Sequence, residues 1–144
     1  MNYCTLSDLA LAVPEATLIQ LSNDDATATA IQEAVVAESV RQAEELVDGY
    51  LRGRYTLPLP QVPSIIKDMT VHLARHWLYA RRPEGADLPD AVTRSYKTAI
   101  QMLEAIRDNR ITLGVPGGAA APEPGEMKVR ARPSVFSDSL LEKY

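Results

Sequence analysis

The chain has 144 residues, 46% of them apolar, and a formal net charge of −4. That is length for one domain with one core, and the acidic balance argues against a protein that holds nucleic acid by charge, which needs a basic face. A single cysteine, Cys4, excludes an internal disulfide and a cysteine-based zinc site.

Thr5 with Asp8 three residues on is a capping box opening a short helix whose apolar residues are Leu6, Leu9 and Leu11. The opening MNYCTLSDLA has no basic end followed by a long apolar run, so no secretory signal is expected. Val13-Pro14 interrupts the first helix, because proline has no amide to continue it and disfavours helical geometry just before itself. A second short helix is predicted over Glu15 to Leu21. SNDDATATA, 22–30, is a polar loop in which Thr29 is placed to cap the next helix with Gln32 reaching back.

The spacing of Val36, Val40, Ala43, Val47 and Tyr50 predicts a long helix over about 30–52, roughly 33 Å at the standard rise. Gly53 is its expected end, through the left-handed cap that glycine accepts. Pro63 opens a further helix to about Arg82, with Ile66, Met69, Leu73, Trp77 and Ala80 on one face. Asp87 with Asp90 is expected to cap a third long helix, Pro89 sitting early where it is tolerated; its stripe is Val92, Tyr96, Ala99, Leu103 and Ile106. Three long amphipathic helices and two short ones make an all-α bundle over 1–113, since each stripe has only the others to cover it.

After Arg110 the character changes. RITLGV suits a short extended piece, and 114–126 is a Pro/Gly/Ala-rich linker by composition. The remainder, 127–144, is expected to be a docking tail. Lys128, Arg130 and Arg132 alternate with Met127, Val129 and Ala131 as in a strand, and Phe136, Leu140, Leu141 and Tyr144 supply apolar anchors beyond it. No stretch of the chain approaches the roughly 20 apolar residues that span a bilayer, so the expectation is a soluble intracellular protein with no membrane contact.

Catalytic chemistry is sparse. His72 and His76 share a helix face at zinc-pair spacing, but Leu73 stands where a metalloprotease has glutamate. They suit core-flanking roles beside Trp77 better than metal. Asn23, Asp24 and Asp25 fail as a calcium loop, because Ala26 and Ala28 occupy coordinating positions and Thr27 replaces the turn glycine. No nucleophile or phosphate-loop motif occurs. No enzyme, cofactor or metal is expected.

The most unusual run is YLRGRYTLPLPQVP, 50–63. Pro58, Pro60 and Pro63 hold Leu57, Leu59 and Val62 towards extended geometry, so this joint is long for a helix–helix loop but stiff. Tyr50, Arg52, Arg54 and Tyr55 beside it are of the types enriched at protein contacts, and an interface is expected there.

With the preceding Asp-Gly, this run resembles the signature of the Mu-like phage neck proteins, a family of head–tail connectors or adaptors: Tyr-Leu-x-Gly-Arg-Tyr, then a Leu-Pro-Leu loop closed by Val-Pro. LARHWLYARR, 73–82, and YCTLSDLA with ATLIQLS resemble the family's neighbouring segments, so the resemblance covers about residues 1–110. It implies a structural adaptor in the virion neck of a tailed phage or prophage, assembled in the host bacterial cytoplasm. Its partners would be itself, in a ring of twelve, the portal protein, and a tail-side neck or tail-terminator protein. DNA would pass through the ring without specific binding. On that reading, acids among Glu38, Glu44, Glu45 and Asp48 are expected to face the DNA channel, and Lys128–Phe136 is expected to add a strand to a neighbouring subunit or to the portal. The rival reading is a small helical DNA-binding regulator. The wide proline joint is a poor helix-turn-helix turn, and the acidic body is a poor partner for phosphate. A helical metal-dependent hydrolase, resting on His72 and His76 alone, comes third.

Overall fold

The computed structural model describes residues 1–81 and 87–115. Five helices occur in them: α1 Leu6–Ala12, α2 Glu15–Ser22, α3 Glu33–Leu51, α4 Ser64–Ala80 and α5 Asp90–Arg107. There is no strand among the described residues, and the all-α class with three long and two short helices is the one expected. The linker beyond Val115 and the tail from Met127 lie outside the described residues.

Helices α3, α4 and α5 form the bundle, while α1 and α2 close one side of α4. Val36, Val40, Val47, Leu51, Ile66, Leu103 and Ile106 are fully buried, each contributing about 1.5–3 kcal/mol through apolar area removed from water. Because α4 packs against all four other helices, its burial spreads beyond the predicted stripe to Val71 and Leu78, whereas Trp77 is half-buried and Ala80 exposed.

The first helix begins as predicted. Thr5 Oγ1 accepts from the Asp8 amide at 3.3 Å and the Asp8 carboxylate accepts from the Thr5 amide at 2.8 Å. The Thr5 hydroxyl, donating to the Asp8 carboxylate at 2.8 Å, then the Thr5 amide and Lys67 of α4 at 3.1 Å hold the Asp8 carboxyl below its ordinary value. Thr5→Ala removes one arm of the box and should cost about 1 kcal/mol, read as a lower urea midpoint with unchanged slope. An unchanged midpoint would contradict that role.

Several boundaries differ from expectation for identifiable reasons. Leu11 is 90% exposed, so it is no part of the core; it sits about 200° round the helix from buried Leu9. Thr29 does not cap α3. Asn23 donates to the Ile19 and Ala30 carbonyls at 2.9 and 2.7 Å, and the Gln32 amide donates to Ser22 Oγ at 3.0 Å. The loop is thereby folded back on the end of α2, and α3 begins only at Glu33. Gly53 does not take the left-handed conformation; the chain leaves α3 through a further turn in which the Arg54 and Tyr55 amides both reach the Leu51 carbonyl. Asp87 does not cap α5 either. Leu88 precedes Pro89 and is held out of helical geometry, so Pro89 is the cap residue and makes no side-chain bond.

Candidate assembly interface

The proline joint covers the end of the bundle where α3 stops, α4 starts and α5 stops. Leu59 is buried, Leu57 and Val62 pack against the core, and the Leu57–Pro58 peptide is cis. Tyr55 is 5% exposed. Its hydroxyl accepts from the Leu113 amide at 3.0 Å. Arg54 donates through Nη1 to the carbonyls of Ile106 and, at 2.9 Å, Ile111, with its guanidinium 5.2 Å above the Tyr55 ring.

What Arg54 grips is the end of α5. There Asn109 stands at φ 64°, a left-handed conformation that asparagine tolerates. The Arg110 amide reaches back to Ala105 at 2.8 Å and the Asn109 amide to Ile106 at 3.2 Å. This is a Schellman ending with asparagine in the usual glycine position. Beyond it Ile111, Leu113 and Val115 pack on the core while Thr112 and Gly114 lie outward, Gly114 at a left-handed φ of 67°. Arg54 and Tyr55 therefore act inside the molecule, as a clamp on the segment that leads to the C-terminal residues. Tyr50 is half-buried beneath the Arg107 guanidinium, 5.7 Å away, and Arg52 is exposed. The predicted interface quartet thus splits into an inward pair and an outward pair.

The acidic residues of α3 split as well. Glu44, 8% exposed, accepts the amides of Asn2 at 2.5 Å and Tyr3 at 2.7 Å. Asp48 accepts the Tyr3 hydroxyl. Burial, then that bond to Asp48, raises the Tyr3 phenol above its ordinary range; burial, with the Glu44 charge nearby, pushes the Cys4 thiol up to about 12. Glu38 and Glu45 lie on the open side of α3 and hold Arg41 between them at 2.6 and 2.5 Å. Its hydrogen bonds lower the Glu38 carboxyl to about 2. Two of these four acids serve the N-terminal segment, and the exposed two are paired with a cation. Lys128, Arg130, Arg132, Phe136, Leu140, Leu141 and Tyr144 lie outside the described residues.

The histidines serve separate ends. His72 Nε2 is 3.4 Å from Asp68, and the His76 ring stacks on Tyr96 of α5 at 3.9 Å, with burial lowering its pKa. Among the described residues no group of three or more His, Cys, Asp or Glu is placed to hold a metal. Asp25 turns back on Thr27, and Asp24 meets Arg81, which also bonds the Leu21 carbonyl and ties the end of α4 to the end of α2. Sequence reasoning missed the clamp and the Glu44 anchor. Local spacing holds no signal for contacts 41 to 58 residues apart.

Comparison with known proteins bears on the whole of this arrangement. The sequence is 31% identical over 139 residues to Gene product J of Escherichia phage Mu, covering 95% of both chains. It is 33% identical over 88 residues to the Mu-like prophage FluMu protein gp36 of Haemophilus influenzae, covering 61% of this chain and 59% of that one. Residues 3–131 match the family described as Bacteriophage Mu, Gp36. That span holds every described helix, the proline joint and the Glu44 anchor, so the chain belongs to the Bacteriophage Mu Gp36 family of phage proteins.

Proposed function

We propose that this protein is a structural head–tail connector of a Mu-like phage or prophage, a ring of copies seated between portal and tail around the DNA channel. Its role is assembly without turnover, and its partners are other copies of itself, the portal protein and a tail-side neck protein. The observation that carries this reading is the joint that resembles the neck-protein signature. Its arginine and tyrosine bond Ile106, Ile111 and Leu113, so the segment after α5 is held at a fixed point at one end of the bundle. A molecule that must dock the same way in every copy of a ring needs such a fixed exit. The acidic composition adds support, since a conduit for DNA works better if its walls do not bind phosphate.

Negative-stain electron microscopy with mass measurement tests the reading, on the full chain alone and mixed with its phage's portal protein. Rings in the mixture, with or without rings of the protein alone, are the expected result. No association with portal, combined with salt-dependent affinity for duplex DNA, would replace this reading with that of a DNA-binding regulator.

A further inference from the structure

The turn that ends α5 holds a residue whose backbone and side chain call for different amino acids. Asn109 stands at φ 64°, a conformation that glycine adopts without a Cβ penalty, which is why glycine is usual at this place in a Schellman ending. Asparagine adopts it at some cost, so backbone preference alone would put glycine here. The side chain that comes with that cost is half-buried, and its Oδ1 is shut off from solvent with no hydrogen-bond partner among the described residues. A buried acceptor left unbonded is itself destabilising.

Arg54 carries the opposite deficit at the same corner. Its Nη1 is used twice, on the Ile106 and Ile111 carbonyls, while its Nη2 is buried and unbonded among the described residues. The two deficits are neighbours, because the Asn109 amide and Arg54 Nη1 donate to one oxygen, that of Ile106. One is an acceptor and the other a donor on a cation, so each supplies what the other lacks. The acid beside them in the chain is engaged elsewhere: Asp108 meets Arg107 at 2.8 Å and Arg110 at 3.6 Å.

We propose that Asn109 is a positioning residue of the clamp, its side-chain oxygen pairing with Arg54 Nη2 through rotation about the soft terminal torsion of the asparagine side chain. This oxygen, rather than backbone tolerance, is why asparagine stands where glycine fits. Both Nη atoms of the guanidinium are then committed to the end of α5, and position 109 acts through Arg54 to fix where segment 110–115 lies. The assignment concerns the inside of the molecule and does not rest on the connector reading.

The test is the melting temperature of the full chain with Asn109→Gly, in the native and the Arg54→Ala backgrounds. Glycine relieves the left-handed backbone in both, so a purely conformational role predicts a rise in both. Pairing with Arg54 predicts a fall of about 3 °C when the arginine is present and a rise of about 2 °C when it is absent. A rise in the native background, or the same shift in both, overturns the pairing. With Arg54 present, hydrogen exchange at Arg110 and Ile111, whose amides both reach the Ala105 carbonyl, should speed about tenfold in Asn109→Gly; unchanged exchange overturns the positioning role. Asn109→Asp offers the same Nη2 a carboxylate. It should melt no lower than the wild type at pH 7 and lose ground against it as pH falls below about 4, where that carboxylate takes up a proton. Asp108 and its pairs are common to both proteins and cancel in the comparison. An Asn109→Asp protein that melts below Asn109→Gly at pH 7 overturns the pairing.

Discussion

Replacing Arg54 by alanine is expected to lower stability by about 3 kcal/mol, from two hydrogen bonds donated by a charged group to backbone carbonyls. For a chain of this size that is a fall in melting temperature of roughly 10 °C. The effect should be local in origin. Ile106 O keeps a second donor in the Asn109 amide, but Ile111 O loses the guanidinium, and segment 111–115 is left with the Tyr55 hydroxyl as its remaining polar tie to the joint. Hydrogen exchange should therefore accelerate at residues 111–113 before it does in α3 or α4. Arg54→Lys should recover less than half of the loss, because both bonds come from Nη1, one atom beyond the reach of a lysine ammonium, and the guanidinium over the Tyr55 ring is lost with it. Tyr55→Phe, which deletes one neutral bond, should cost about 1 kcal/mol and speed exchange at Leu113. A melting temperature unchanged by Arg54→Ala would show that the clamp is not what holds the exit segment. If the connector reading holds, the same variant should bind portal more weakly than its loss of stability explains, because segment 111–115 is no longer held in one place.

The second large effect is expected at Glu44. Alanine there removes the acceptor for the Asn2 and Tyr3 amides and leaves the buried Tyr3 amide without a partner, at a cost of about 2–3 kcal/mol. Glu44→Gln keeps an acceptor oxygen and should cost about half as much. The readout that separates this site from a general loss of stability is Cys4. Its buried, fully protonated thiol should react negligibly with alkylating agents at neutral pH, and loosening the N-terminal segment should raise that rate about tenfold. An unchanged rate in a destabilised Glu44→Ala protein would mean the segment is held by packing alone. The same corner predicts an alkaline limit. The Cys4 thiol is raised from its ordinary 9.0 to about 12, so between those values the folded state holds a proton that the unfolded chain gives up. Stability is thus full below pH 9 and falls as pH rises towards 12, with the raised Tyr3 phenol adding to the fall above pH 10.

How much of this was legible in the residues follows the range of the interaction involved. The capping box of Thr5 and Asp8, the break at Val13-Pro14, the start of α4 at Pro63 and the stripe Val92, Ala99, Leu103, Ile106 were all readable, because each depends on neighbours within two turns or on a backbone angle set by proline. The unusual run 50–63 carried the family resemblance, and the family match agrees with it at the level of a Mu-like phage protein. Leu11 was legible in principle: it lies across the helix from Leu9, but one helix of seven residues is too short for periodicity to weigh one leucine against another. Gly53 shows the opposite case, a strong local preference overridden when the next two amides found the Leu51 carbonyl.

At the candidate site the residue types alone do not say in which direction they act. Arginine and tyrosine serve an outer contact or an inner clamp equally well, and the choice at Arg54 and Tyr55 was made by where the end of α5 lies, 52 and 58 residues away. The acids of α3 divide for the same reason: Glu44 and Asp48 face the returning N-terminal segment, while Glu38 and Glu45 find Arg41 on their own helix. The sequence by itself determined the helices, their apolar faces and the stiffness of the joint, since these follow from bonds between near neighbours. Which polar side chains turn inward was decided only by the tertiary structure, because a carbonyl or amide left over at a helix end takes whatever donor or acceptor the packing brings within 3 Å.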